Sequence, residues 1–238
     1  MVSEGKEQRI AVIPARGGSK RIPRKNIRAF CGRPILAYSI EAAKESGLFE
    51  EVMVSTDDEE IAETADRYGA SVPFLRSTEA SGDFATTTDV LLEVLEKYRE
   101  RGRVFSTLCY LYPTAPFVTA EKLRRASSLL EESGADGVLP VVEFSYPPLR
   151  GLKVSGARVQ MKWPENVFAR SQDLEPVYHD SGQFCFLRTE ALLRERNILC
   201  SNMVPMILSN LEVQDIDNET DWELAELKYE LLKKKGML

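Results

Sequence analysis

Histidine is nearly absent from this chain, and cysteine is scarce. The 238 residues contain one histidine and four cysteines, and no two cysteines form a C-x-x-C pair. The spacing typical of zinc sites and thioredoxin-like redox motifs is therefore missing. The single histidine, His179, stands beside Asp180 without a nucleophile of known geometry, so the pair does not define a catalytic triad. These absences argue against a disulfide scaffold, a zinc protein and a triad hydrolase.

Long apolar runs and an excess of basic residues are also missing. No stretch approaches the ~18 consecutive apolar residues that a membrane span requires. The first residues, MVSEGKEQR, are polar and lack the apolar region of a secretion signal. The net charge of −6 disfavours a non-specific nucleic-acid binder, which would normally be basic. We therefore expect a cytoplasmic protein whose partners are neither nucleic acids nor membranes.

Short apolar runs alternate with helical patterns through most of the chain. Hydrophobic residues make up 43% of the sequence and charged residues 29%, as in an ordinary globular protein. The pattern predicts strands over 10–13, 52–55, 71–75, 105–111, 138–142 and 183–187. It predicts helices over 34–45, 57–69, 87–101, 119–134 and 218–234, with Asp57 and Glu60 as a capping box for the second. The order predicts an α/β fold with a Rossmann-like, mostly parallel sheet and helices on both faces.

The stretch from about 145 to 180 interrupts this order. It contains four prolines and a hairpin-like LKVSGARVQM segment whose turn falls at Ser155–Gly156. We interpret the chain as one domain, 1–238, with this stretch as an inserted arm for dimerisation. A plain surface insertion is the alternative.

A basic, glycine-containing loop follows the first predicted strand. The sequence from Pro14 to Asn26, PARGGSKRIPRKN, places five cations in ten residues of an acidic protein. Backbone amides at Gly17 and Gly18 could bind phosphate oxygens while the cations neutralise their charge. The loop matches neither G-x-G-x-x-G nor G-x-x-x-x-G-K-[ST], and the next helix starts only near Pro34, so dinucleotide-binding and Walker sites are disfavoured. A triphosphate is the predicted ligand, and a solvated basic turn is the alternative.

Two aspartates near the end of the chain form a D-x-D pair, Asp215 and Asp217. In an extended segment, alternate residues share a side, so the two carboxylates repel each other unless a cation lies between them. Oxygen ligands of this kind suit Mg²⁺, which shares its coordination with water and phosphates. Exposed acids that cap the last helix are the alternative.

Two further loops lie where the ligand of such a sheet is expected. The stretch 76–88, RSTEASGDFATTT, carries one arginine and many hydroxyls that could read a base or a ribose. The stretch 112–116, YPTAP, ends a predicted strand on the ligand side. His179 is as compatible with a structural role as with a substrate ligand.

Taken together, these motifs resemble a known family, the cytidylyltransferases that activate nine-carbon acidic sugars. IPARGGSKRIPRKN resembles the family signature, and STDD, LRSTEASGD, LYPTAPF, ARSQD and QDID follow in the family's order. The resemblance runs from about residue 10 to 230. YPTAPF and YHDSGQF are most similar to the members that act on pseudaminic acid. The members that act on N-acetylneuraminate usually carry glutamine where Tyr112 stands.

The resemblance implies a fold of the nucleotide-diphospho-sugar transferase type, an arm-exchanged homodimer and dependence on Mg²⁺. It assigns CTP and an acidic nine-carbon sugar as substrates. Residues matching the family's site fall into four groups. The catalytic candidates are Lys20, Lys25 and Asp217; the nucleotide-binding ones are Arg16, Gly17, Gly18, Ser19, Asn26, Arg76 and Thr87; the sugar-binding ones are Tyr112, Arg170, His179 and Gln183; and the metal ligands are Asp215 and Asp217.

The predicted reaction transfers CMP from CTP to the anomeric hydroxyl of a nonulosonic acid and releases diphosphate. Pseudaminic acid is the favoured acceptor; N-acetylneuraminate, legionaminate and 3-deoxy-octulosonate are alternatives. Asp217 or a metal-bound water could take the hydroxyl proton. A non-catalytic nucleotide-binding dimer scaffold is the alternative of another class, although it would have no need of the D-x-D pair.

Overall fold

A central sheet with helices on both sides organises the chain. The computed structural model describes residues 8–19, 21–82 and 84–238. The strands are β1 Arg9–Pro14, β2 Ala29–Phe30, β3 Arg33–Pro34, β4 Glu51–Ser55, β5 Thr107–Leu111, β6 Gly137–Glu143, β7 Leu152–Ser155, β8 Arg158–Met161, β9 Tyr178–Asp180, β10 Phe184–Arg188 and β11 Met203–Leu208. The helices are α1 Ile35–Ser46, α2 Glu59–Arg67, α3 Thr78–Ser81, α4 Thr87–Glu100, α5 Ala120–Ser133, α6 Thr189–Glu195 and α7 Glu219–Lys234.

The central sheet is mostly parallel, as predicted. Its strand order is β11-β6-β10-β5-β1-β4, and β9 also pairs with β6. β1 is parallel to both β4 and β5, and β11 is parallel to β6. β10 is antiparallel to its neighbours β5 and β6, and β9 is antiparallel to β6. The amino end of β10 therefore lies at the same sheet edge as the carboxyl ends of β5 and β6.

Alternate residues of the central strands pack against helices on opposite faces of the sheet. Ala11 and Ile13 of β1 belong to a buried cluster with residues of α1, α2 and α5. Ile10 and Val12 belong to a second cluster with residues of α4 and α6. This two-sided burial confirms the predicted helix-covered sheet and explains why the strand sequences are apolar throughout.

The last helix covers a third cluster, away from the sheet. Trp222 and Leu232 of α7 pack with Ile22 of the basic loop, with Phe30 just after that loop and with Ile216 of the D-x-D segment. Ile216 is only 1% exposed. This packing connects the two sequence motifs that were predicted to share a site.

Helix ends follow the capping residues, with one correction. Gly47 and Gly134 end α1 and α5 in left-handed conformations, and Thr119 caps the start of α5. The cap of α2 is Asp58, whose side chain accepts a hydrogen bond from the amide of Ile61, so the predicted role of Asp57 as the cap is wrong. Asp57 instead turns toward the glycine loop.

One strand prediction needs correction, and two elements of the structure were not predicted. The predicted strand over 71–75 reduces to one bridge between Met53 and Ser71, because Pro73 interrupts the stretch. The edge strand β11 and the short helix α6 were not predicted. β11 contains Pro205, and its buried residues do not alternate regularly with exposed ones. Neither a proline-free apolar run nor a regular alternation therefore marks it as a strand.

The segment after β6 leaves the sheet, as predicted. β7 and β8 pair as an antiparallel hairpin around Ser155 and Arg158, and the main-chain bond from Phe144 to Val177 closes the base of the excursion. The excursion ends earlier than residue 180, because β9 returns to the sheet through its pairing with β6. Its role as a dimerisation arm stays a prediction.

Candidate active site

A cleft opens at the carboxyl ends of β1 and β5, where open α/β sheets bind their ligands. Its volume is about 720 Å³, and its wall combines the basic loop, the stretch around α3, the start of α4 and the end of β5. It is lined by Pro14, Arg16, Ser19, Arg21, Lys25, Asn26, Arg76, Ala80, Ser81, Gly82, Ala85, Thr86, Thr87, Val90, Tyr110, Tyr112, Pro113, Thr114 and Asp217. The structure thus brings together residues that are up to about 200 positions apart in the sequence.

The lining is cationic although the protein is acidic overall. Among the described lining residues, four carry a positive charge, namely Arg16, Arg21, Lys25 and Arg76, and one, Asp217, carries a negative charge. Cations concentrated in a cleft attract and neutralise an anionic ligand. Lys20, the remaining catalytic candidate of the loop, lies outside the described residues.

Side-chain contacts hold the glycine loop in place. The amide of Gly17 donates to Asp57 Oδ1 at 2.9 Å, and the amide of Ser19 donates to the carbonyl of Gly17 at 3.0 Å. Asn26 is buried, and its side-chain amide donates to the carbonyl of Arg16 at 2.9 Å. Two of the loop amides therefore already have partners inside the protein, and Asn26 supports the loop from behind.

Gly17 packs tightly against the start of α2. A Cβ atom at this position would lie 2.6 Å from Asp58 Oδ2 and 2.9 Å from Asp58 Cβ. Asp58 is itself fixed by Arg24, whose two terminal nitrogens lie 2.5 and 3.0 Å from the carboxylate oxygens. The Arg24 guanidinium lowers the pKa of Asp58, which keeps the pair charged. The sequence motif STDD thus shapes the loop from the neighbouring strand β4.

Lys25 connects the basic loop to the D-x-D segment. Its ammonium donates to the carbonyl of Ile216, between the two aspartates. Burial lowers the pKa of Lys25, while the charges of Asp217 and Asp215 act in the opposite direction. The repulsion expected between the carboxylates is therefore offset in part by this ammonium.

Each aspartate of the pair has a different environment. Asp217 is half-buried in the cleft and forms an ion pair of 2.6 Å with Arg21. Its amide donates to Asp221 Oδ2 at 2.9 Å, and Asp221 also belongs to the capping box of α7. Asp215 is exposed, and its Oδ1 lies 4.0 Å from where a Cβ on Gly182 would stand. The start of α7 therefore positions Asp217.

The stretch 76–88 reaches the cleft through Arg76 and Thr87. Arg76 is half-buried; its Nε donates to Ser55 Oγ at 3.1 Å and its amide donates to the carbonyl of Thr56 at 2.8 Å. Thr87 is the first residue of α4, and Thr86 before it forms a capping box with Asp89. These contacts place both predicted nucleotide-binding residues at the cleft.

Tyr112 leaves β5 at the floor of the cleft and contacts Asp180. Its hydroxyl donates to Asp180 Oδ2 at 3.0 Å, and its ring centre lies 4.7 Å from that of Tyr110. Burial holds the pKa of Tyr112 well above its ordinary value, with Tyr110 and Asp180 adding to the effect. Asp180 was not among the predicted site residues, because the stretch that contains it was assigned outside the sheet.

His179 and Gln183 do not line this cleft, and their assignment to a sugar pocket stays a prediction. Neighbouring residues of a strand point to opposite faces, so the contact of Asp180 with Tyr112 turns His179 away. The His179 ring packs 4.6 Å from that of Phe144. Gln183 is 2% exposed, and its side-chain amide donates to the carbonyl of Glu212 at 2.7 Å. Gln183 thus ties β10 to the turn before the D-x-D pair.

Arg170 lies on the arm and does not line the cleft. Its guanidinium forms two hydrogen bonds with Asp173, of 2.7 and 3.0 Å, and its side chain is 72% exposed. Within one copy of the described chain, Arg170 therefore contacts the arm itself. A contact with the sugar requires a second subunit and stays a prediction.

The comparisons with known proteins agree with this cleft. A family model described as cytidylyltransferase matches residues 10–234, so the chain belongs to the cytidylyltransferase family. A pseudaminic acid cytidylyltransferase of Campylobacter jejuni subsp. jejuni serotype O:2 is 39% identical over 223 residues, covering 93% of this chain and 96% of that protein. A CMP-N,N'-diacetyllegionaminic acid synthase of Legionella pneumophila subsp. pneumophila is 35% identical over 231 residues, with coverage of 93% and 96%.

Among solved structures, a CMP:2-keto-3-deoxy-manno-octonic acid synthetase complexed with CTP superposes with a TM-score of 0.66. The match covers 96% of this chain and 100% of that one, at 16% identity, and therefore concerns the fold alone. It confirms the predicted nucleotide-diphospho-sugar transferase type of sheet. In the part of the chain that the structure describes, every helix is too short or too polar to cross a bilayer.

Proposed function

We propose that this protein transfers CMP from CTP to the anomeric hydroxyl of a nonulosonic acid, with pseudaminic acid as the favoured acceptor, and releases diphosphate. The observation that carries the proposal is the cationic cleft at the carboxyl ends of β1 and β5, in a chain that belongs to the cytidylyltransferase family. The 39% identity to a pseudaminic acid enzyme supports the choice of sugar. Free cysteines support a cytoplasmic site of action.

The cleft can stabilise the charge that moves during this reaction. The anomeric oxygen forms a bond to the α-phosphorus while the bond to the bridging oxygen of the diphosphate breaks. Lys25, Arg16 and Arg21 line the cleft and would neutralise the triphosphate and then the leaving diphosphate. Arg76 and Thr87 stand on the neighbouring wall, where they would contact the cytidine. The hydroxyl proton would leave toward Asp217 or water.

The D-x-D pair is chemically suited to Mg²⁺. Asp217 lines the cleft, and both carboxylates lie close enough to Lys25 to act on its pKa. Among the described residues, no group of three or more histidine, cysteine, aspartate or glutamate side chains could hold a metal. Phosphate oxygens and water would therefore complete the coordination, as Mg²⁺ prefers. When bound, the ion would supply positive charge to the phosphates and orient them.

A homodimer would complete the site from the arm. Several apolar side chains of the excursion are exposed in the single chain, including Tyr146 at 88% and Phe168 at 95%. Large apolar side chains exposed together on one segment are typical of an interaction surface. A second copy that covers it would also bring Arg170 toward a cleft, where a guanidinium can hold a carboxylate through two hydrogen bonds.

The proposal is tested by measuring diphosphate release from CTP with a panel of acidic sugars. We expect Mg²⁺-dependent release with the 5,7-diacylamino nonulosonates, and the highest kcat/KM with pseudaminic acid. Preference for legionaminate, N-acetylneuraminate or 3-deoxy-octulosonate would correct the sugar and keep the reaction. Binding of CTP without release for any acceptor would instead favour the non-catalytic scaffold.

A matched pair of variants assigns the reaction to the cleft. Asp217→Asn removes a carboxylate charge inside the cleft, and we expect it to lower kcat by at least about 100-fold, as loss of a key charge-stabilising group does elsewhere. Asp66→Asn removes an exposed carboxylate of α2 that does not line the cleft, as a control for chemistry in the cleft. Comparable activity of Asp217→Asn and wild type would contradict the assignment.

A further inference from the structure

Asp180 determines the direction of the hydrogen bond made by Tyr112. The carboxylate accepts from the Tyr112 hydroxyl at 3.0 Å through Oδ2 and from the amide of Gly182 at 2.7 Å through Oδ1. A carboxylate of this kind only accepts hydrogen bonds, and a tyrosine hydroxyl has one proton to donate. The single proton of Tyr112 is therefore directed at Asp180 and away from the cleft.

The position of Tyr112 is fixed on all sides. Its amide donates to the carbonyl of Gln183 at 2.9 Å, and its carbonyl accepts from Ser39 Oγ at 2.7 Å. Its ring contacts that of Tyr110, with the ring centres 4.7 Å apart. Asp180 is held in turn by the backbone of Gly182, which has a φ of 65° and forms the break between β9 and β10. The ring is therefore held in place, and the hydroxyl proton stays on the hydrogen bond to Asp180.

We propose that Asp180 is a positioning residue that holds Tyr112 as a hydrogen-bond acceptor toward the cleft, and that Tyr112 thereby favours sugars that present a hydrogen-bond donor to it, such as an acylamino N–H. The oxygen of a phenol keeps lone pairs after it donates its proton. The N–H of an acylamino group can donate to this oxygen, and so can a sugar hydroxyl, whereas an ester oxygen in place of the N–H cannot, so an acceptor in the wall favours the amide over the ester. This inference rests on the proposed function and narrows the class of acceptor.

The first part of the test compares two substrates. One is a 5,7-diacetamido nonulosonate, and the other is the analogue in which one acetamido N–H is replaced by an ester oxygen, prepared at each position in turn. We expect wild type to prefer the diamide by about 10- to 100-fold in kcat/KM at one of the positions, because the ester leaves the Tyr112 oxygen without its donor. Equal kcat/KM for the amide and both esters overturns the inference.

The second part places the preference on the two residues. Tyr112→Phe removes the acceptor, and Asp180→Ala frees the Tyr112 proton to turn toward the cleft. Each variant should bring the kcat/KM values for the amide and the ester closer together. If Asp180 acts only through Tyr112, Asp180→Ala should cause no further loss in the Tyr112→Phe background. Additive losses, or a preference that survives Tyr112→Phe, overturn the assignment. Tyr68→Phe, outside the cleft, controls for loss of a tyrosine hydroxyl.

Two readouts separate this inference from the proposed function. The KM for CTP should be the same in wild type and both single variants, because the contact concerns the sugar; a change confined to CTP overturns the inference. Diphosphate release by wild type with the diamide is the check on the reaction itself. If no nonulosonate supports release, the proposed function fails, whereas release without discrimination defeats only the role of Tyr112 and Asp180.

Discussion

Gly17 leaves no room for a side chain, because Asp58, which is paired with Arg24, occupies the space beside it. The pair is held by two hydrogen bonds, and Gly17 donates its own amide to Asp57. Individual residues of this kind shape the glycine loop, where we propose that phosphates bind. Their contribution is open to test by substitutions that add volume or change charge.

Gly17→Ala should destabilise the loop. The added methyl group would stand 2.6 Å from Asp58 Oδ2, so the carboxylate or the loop must shift, at a cost of about 1–3 kcal/mol. We expect the free energy of unfolding to fall by that amount and the Kd for CTP to rise. Gly18→Ala adds the same group where nothing lies within 4 Å and should change unfolding by less than about 0.5 kcal/mol. Equal effects in urea titrations would contradict the crowding argument.

Lys25 should limit activity at alkaline pH. Burial lowers its pKa, so as pH rises its ammonium loses its proton before an ordinary lysine would. We expect kcat/KM, which reports the free enzyme, to fall through that lowered pKa. Lys25→Arg should move the fall to higher pH, because arginine stays charged.

Lys122 provides the matched control for this pH profile. Burial also lowers its pKa, but it pairs with Glu212 outside the cleft, at 2.9 Å. Lys122→Arg should therefore leave the alkaline fall of kcat/KM in place. A pH profile that shifts in Lys122→Arg and stays fixed in Lys25→Arg would contradict the assignment of this titration to Lys25.

At the scale of elements, two helices of equal length start with threonine caps, but only one faces the cleft. Thr86 caps α4 through a capping box with Asp89, and Thr119 caps α5 by accepting from Lys122. Both helices have 14 residues. They offer a comparison between a cap that serves stability and one that also positions the site.

Thr86→Ala and Thr119→Ala should differ in function and agree in stability. Loss of either cap should lower the free energy of unfolding by about 0.5–2 kcal/mol. Only Thr86→Ala should raise the KM for CTP, because Thr86 and Thr87 line the cleft and Thr119 does not. Steady-state kinetics and denaturant titration measure the two effects. An unchanged KM in Thr86→Ala would remove the start of α4 from the nucleotide site.

The whole molecule carries an exposed apolar arm that the single chain leaves uncovered. Val154 of β7 is 75% exposed, and Phe168 is 95% exposed. Burial of a large apolar side chain is worth about 1.5–3 kcal/mol, which favours a partner that covers the arm. A second copy of the chain, related by a two-fold axis, would cover both arms at once.

Charge in the arm should therefore dissociate the dimer. We expect wild type to scatter light as a dimer, and Val154→Lys combined with Phe168→Lys to scatter as a monomer. Val104→Lys is the control, because Val104 is 68% exposed but lies outside the arm. A wild-type monomer at micromolar concentration would refute the dimer.

The proposed dimer also predicts that each active site contains residues from both subunits. Mixing inactive Arg170→Ala with inactive Asp217→Ala should restore activity, because half of the sites in a mixed dimer would carry neither defect. Proven exchange of subunits without any recovered activity would show that Arg170 does not serve the partner's cleft.

The sequence alone determined the central strands β1, β4, β5, β6 and β10, most helix ends and the two charged motifs, because these depend on local patterns. Apolar strands, capping residues such as Thr119 and the glycines after α1 and α5 act within a few residues of where they stand. The resemblance of the ordered motifs then indicated the family, which the comparisons confirm.

Only the tertiary structure decided which side chains meet. Asp57 and Asp58 differ by one position, yet the first binds the loop amide and the second caps α2 and pairs with Arg24. His179 and Asp180 are also neighbours, and the return of β9 to the sheet turns only Asp180 toward Tyr112. A shift of one residue along a strand moves a side chain to the opposite face of the sheet. The face of each side chain is set by pairing with a strand more than 30 residues away, and no local sequence pattern records that pairing.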